Sequence, residues 1–152
     1  MTGVQTCALP ISKSHTSARY EIQFGQQSEI QSSSGVIVST GLGSTGWMKS
    51  IVTGSVGIAA GMLNQQADFE YQAAQWDSDT LRFAVREPFP SKASEAKLVF
   101  GEVNAKKPLT LLSRMAENGV IFSDGIETDF LDFNSGAKAI ITLAEKQGKL
   151  IV

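Results

Sequence analysis

Beyond Asp79 the chain repeats one pattern: a short run able to bury one or both faces, then a break that only a turn accommodates. Residues 80–86 alternate and place Leu81, Phe83 and Val85 on one side. Two prolines within 87–90 end that run, because proline cannot donate to a ladder. Residues 96–103, 108–115 and 119–123 follow in the same manner. Asp124 and Gly125 are a hairpin signal, since both tolerate the positive φ of tight turns, and residues 126–133 read as the return strand. A turn at 134–136, a strand over 137–143 and a last strand from Gly148 complete the series. Strands spaced about every 8–12 residues argue against βαβ units and predict an all-β fold, a β-sandwich of short, mostly antiparallel strands.

The first half adds strands and one long interruption. Residues 19–24 put Tyr20, Ile22 and Phe24 on one face, residues 25–34 are polar, and residues 35–40 form a β-branched run short enough for a buried strand. Residues 41–46 read GLGSTG and break regular structure. A hydroxyl at Ser44 or Thr45 suits the cap of a helix over 47–52, and Gly54, Gly57 and Gly61 predict that this helix stays short.

Residues 1–11, MTGVQTCALPI, match one reading frame of a common sequencing-library adapter, with GTG read as a start codon. A signal peptide fits less well, lacking a basic start and a long apolar stretch. The expectation is an artefact, disordered and outside the fold, with one domain over 12–152 and a parent protein extending upstream of Ser12. Cys7, the only cysteine, falls in that segment. The remainder offers no disulfide framework, thiolate metal site or catalytic thiol, which suits a reducing cytoplasmic setting.

The 152 residues, 42% of them hydrophobic, are enough for one domain with a sizeable core. A net charge of −2, from 13 basic and 15 acidic side chains, argues against a nucleic-acid or anionic-membrane partner. No apolar run approaches the length of about 18 residues needed to cross a bilayer.

Chemistry concentrates in residues 34–47. Gly41, Gly43 and Gly46 satisfy G-x-G-x-x-G directly after a strand, where small residues let backbone N–H groups approach a phosphate and a helix presents its positive end. A Rossmann unit also needs a second parallel strand ending in an acid about 20 residues on. Asp68 and Glu70 have no clear β-branched run before them, and no lysine stands where a Walker loop requires one.

The run SSGVIVSTGLGSTGW over 33–47 resembles the nucleotide-binding segment of the NAD kinase family, D-G-hydrophobic-x-hydrophobic-S-T-P-T-G-S-T-A-Y. Thr40, Gly43, Ser44 and Thr45 match it, and Ser50 matches a serine often found one turn into the helix. The Ser-Ser-Gly start and Trp47 look like the divergent, sugar-kinase-annotated and mitochondrial-type branch. Asp124 and Gly125 stand at the family's late hairpin. The resemblance implies the family's C-terminal β-sandwich domain, carrying most of an NAD pocket lined by Thr45, Gly46 and Trp47, with Ser50 bonding the dinucleotide. Ser34 stands where typical members hold a substrate-binding aspartate, and Gly41 and Leu42 replace Pro and Thr.

The implied activity of the parent is ATP-dependent phosphorylation of NAD to NADP, with Mg²⁺ and a homo-oligomeric state. The family's G-G-D-G motif and its Asn-acid pair are absent from this sequence, so the chain itself is expected to bind weakly at most and to hold no catalytic residue. A lipid or sugar kinase of the same superfamily, or a non-catalytic nucleotide-binding or dimerisation module, are the alternatives. Elsewhere, His15 reads as a frayed surface residue with no second ligand for zinc. Asp124, Glu127, Asp129 and Asp132 read as a solvated face, Asp77 and Asp79 as a capped loop entry, and Trp76 as core or interface. Ser39, Ser44 and Ser50 lack a base to activate them.

Overall fold

A computed structural model describes residues 7–12, 16–123 and 129–145, the first of these segments through its backbone alone. The strands form two antiparallel sheets. In the first, β2 (Ala18–Phe24) pairs with β3 (Gln27–Ser33) and with β7 (Leu109–Ser113), which pairs with β10 (Lys138–Ile141). The second has six strands, in the order β6 (Phe100–Val103), β5 (Leu81–Arg86), β4 (Gly35–Ser39), β1 (Cys7–Ser12), β8 (Gly119–Ser123) and β9 (Phe130–Asp132).

Alternation along these strands builds the core between the sheets. Tyr20, Ile22 and Phe24 face Val36, Val38, Phe83 and Val85, with Leu109, Leu111 and Phe133 closing the cluster. Each fully buried side chain of this size contributes roughly 1.5–3 kcal/mol of transfer free energy. The predicted inward trio of β5 holds, since Phe83 and Val85 are buried in this core and Leu81 packs against it.

β4 is buried on both faces. Its other side carries Ile37, which packs with Ala84 and with Met48 of the helix α1 (Trp47–Leu63). This helix forms a third layer outside the six-stranded sheet and is longer than the sequence predicted. Gly54, Gly57 and Gly61 meet no neighbouring atom, so each carries only its backbone-entropy cost of about 1 kcal/mol. Met48, Ile51 and Val52 anchor the first turns, and Asn64 ends the helix with a left-handed cap donating to Ala60 and Gly61 carbonyls.

Two further expectations need correction. The polar stretch after Phe24 is a strand, β3, reached through a turn in which Gly25 has φ of +62°. Residues 1–11 were expected outside the fold, yet Cys7–Ser12 is the strand between β4 and β8. Its backbone occupies a slot where two strands would otherwise leave their polar edges open. Pro10 sits opposite Ile121 of β8, beyond the Cys7 and Ala8 register to β4, where a missing N–H interrupts no ladder on that side. Residues 1–6, the hairpin at Asp124 and Gly125, and the expected last strand lie outside the described residues.

Candidate functional site

The turn after β4 is built to be held rather than to move. Gly43 N donates to Thr40 Oγ1 at 3.3 Å, and Leu42–Thr45 closes as a 3₁₀ turn through Ser44 N to Gly41 O at 3.2 Å. Ser44 is fully buried; its Oγ donates to Gly41 O at 2.6 Å and accepts from Ala74 N at 3.1 Å. Tyr71 OH donates to Ser44 O at 2.8 Å. A Cβ on Gly41 would lie 1.9 Å from Gln75 O, so that position admits only glycine while 75–76 lies against it. Residues 71–76 thus clamp the turn, a role the sequence reading did not assign to them.

Clamping fixes how α1 starts. Gly46 is its N-cap, with no side chain capping the first N–H groups and no acid in the first turn. This corrects the expected Ser44 or Thr45 cap: Ser44 turns inward. The positive helix end is left without a counter-charge from its own sequence. Of the predicted binding residues, Thr45, Gly46, Trp47 and Ser50 are exposed at this end, Gly43, Thr40 and Ser34 are partly exposed, and Ser44 is the buried member.

The other predicted member, Ser34, joins Trp47 through β5. Ser34 N donates to Arg86 O at 3.0 Å, and the Arg86 guanidinium lies over the Trp47 ring at 5.4 Å from its centroid. Ser34 Oγ donates to Glu87 Oε2. Arg86 and Glu87 went unnoticed in the sequence; the only signal was that Arg86 ends the strand paired with residues 35–39 and Glu87 follows it. Ser39 is buried and donates to Thr40 O at 2.9 Å.

The remaining candidates separate from this site. Trp76, expected in a core or interface, is 69% exposed on the surface. Asp77, Asp129 and Asp132 are exposed, and His15, Asp124 and Glu127 lie outside the described residues. Among the described residues no group of three His, Cys, Asp or Glu gathers to hold a metal ion, and no helix is long and apolar enough to cross a membrane. Shallow depressions lined by Glu21, Gln23, Thr110 and Lys138, or by Gln26, Lys106 and Lys107, lie on the four-stranded sheet, away from the turn.

Two antiparallel sheets, with a clamped glycine-rich turn feeding a helix outside them, define the class: an all-β fold with one helix. The particular likeness is to a crystal structure of an NAD kinase from Archaeoglobus fulgidus in complex with ATP, with a TM-score of 0.56 and 15% identity. That match covers 94% of this chain and 46% of the other, so the chain spans about half the length of that kinase. No protein-family model and no curated protein matches the chain.

Proposed function

We propose that this chain supplies the dinucleotide-binding part of an NAD kinase-like enzyme that phosphorylates NAD to NADP. The observation carrying this reading is the start of α1: exposed Thr45, Gly46 and Trp47 stand at an uncapped positive helix end, held by the buried Ser44 and Gly41 clamp. Backbone N–H groups there suit a pyrophosphate, and the half-exposed indole offers a wall for a ring. The shared fold supports the same reading.

In this proposal the chain binds and orients. Thr45 and Ser50 offer hydroxyls for bonds to the dinucleotide, and the clamp keeps them in place without reorganisation when it arrives. ATP with Mg²⁺ would supply the transferable phosphoryl group and neutralise its charge. The clamped turn fits the phosphates of a nucleotide; the described residues gather no acids for the metal, which this reading assigns to other parts of the parent. Self-association and a cytoplasmic setting belong to the same proposal.

Thr45→Val tests it. Loss of the hydroxyl leaves pocket polar groups unpaired and should weaken NAD binding by about 1–3 kcal/mol. Calorimetric titration showing unchanged NAD affinity in a folded variant would remove the turn from the binding site.

A further inference from the structure

Among the described residues three non-glycine residues have positive φ: Asn64, Asn118 and Glu87. The first two are asparagines, the residue type that tolerates this region, and Asn64 ends α1. Glu87, at φ of +46°, has neither excuse, and Pro88 restricts it further. A kink is needed here, because after β5 the chain leaves one sheet and reaches the other, where Phe89 N donates to Ser32 O at 2.8 Å. Glycine or asparagine would make that kink at lower cost. What glutamate adds is a carboxylate, which accepts from Ser34 Oγ one residue along from the Arg86 that covers Trp47. Strain held without a backbone reason points towards a side chain wanted at that place.

The surroundings define what that side chain would read. Trp47 is 51% exposed and presents an aromatic surface; Glu87, exposed beside Ser34, presents oxygens that only accept. A ring stacked near the indole with an amino group on its edge satisfies both. The inference rests on the dinucleotide reading above and deepens it. We infer that Glu87, poised by Ser34, is a specificity-determining acceptor for the amino group of a heteroaromatic ring of the bound dinucleotide. NAD offers two such rings, the adenine with its exocyclic amine and the nicotinamide with its carboxamide.

The test measures dissociation constants of the 152-residue chain for NAD, for nicotinamide hypoxanthine dinucleotide and for nicotinic acid adenine dinucleotide. Each analogue replaces one amino group with an oxygen. The parent chain should prefer NAD over one of them by about tenfold or more, because the Glu87 carboxylate then faces another acceptor instead of a donor. Glu87→Gln, whose amide both donates and accepts, should bring that ratio to about one while NAD still binds. Glu87→Gly relieves the strained φ, so it should unfold at a higher temperature than the parent and also lose the preference. Whichever analogue loses its penalty identifies the ring. An NAD preference unchanged in both variants, or absent from the parent, overturns the role of Glu87 and leaves the dinucleotide reading intact. Failure of all three dinucleotides to bind saturably overturns both.

Discussion

Ser33 and Ser34 are neighbours in sequence and opposites in use. Ser33 is buried, and its hydroxyl meets Tyr20 OH at 2.7 Å, within a network where Tyr20 also donates to Gln31 Oε1 at 3.0 Å. Glu29 completes that network by accepting from Lys97 N and Leu98 N, both at 2.9 Å, which fastens residues 97–98 to β3. Among the described residues no buried side-chain polar atom is left without a partner. Burial pushes the Tyr20 hydroxyl well above its ordinary value of 10.0, more than the Ser33 hydrogen bond lowers it. Ser34 instead faces a strained, exposed carboxylate, and the neighbouring Arg86 lies over a half-exposed indole. The contrast teaches how to separate polar groups spent on the fold from those the proposal assigns to a ligand: the first are mutually satisfied and unstrained, the second are exposed and held at a cost.

The comparison breaks first at Glu29. Glu29→Ala strands two backbone N–H groups and one hydrogen of the Gln31 amide, and should destabilise the chain by about 3 kcal/mol or more in urea unfolding. Gly41→Ala comes next. It drives a Cβ into Gln75 O and should cost about 1–3 kcal/mol, with a weaker grip of 71–76 on the turn seen as faster amide exchange at Ala74. Ser34→Ala removes only an exposed contact and should change stability by less than about 0.5 kcal/mol.

Alkaline titration sharpens the same contrast. The raised Tyr20 value means the folded chain holds this proton longer than the unfolded one. Its contribution is fully present below the ordinary tyrosine value and is lost as pH rises beyond it. Absorbance at tyrosinate wavelengths should therefore show Tyr20 ionising together with unfolding; ionisation in the intact fold would contradict its burial.

The sandwich was legible because its apolar residues alternate. Leu81, Phe83, Val85, Tyr20, Ile22 and Phe24 all face inward as their spacing required. β3 was hidden because its inward positions are Glu29, Gln31 and Ser33, polar residues whose partners come from distant residues 97–98 and from Tyr20. The length of α1 was hidden because glycine propensity is a weak term once Met48 packs on Ile37 and Asn64 caps the end. For the candidate site, the glycine spacing marked the turn as a break in regular structure, but not the clamp from Tyr71 and Ala74. Nor did it show the convergence of Arg86 and Glu87, which depends on strand register rather than on local sequence.

The central claim is that the start of α1 receives a dinucleotide, and Trp47 can report on it directly. Trp76 is the only other tryptophan and is replaced by phenylalanine, leaving Trp47 emission to be followed during titration with NAD. The account predicts saturable quenching, with a midpoint shifted to higher NAD concentration by Thr45→Val. Emission that stays constant to millimolar NAD, in a chain that remains folded, would contradict it.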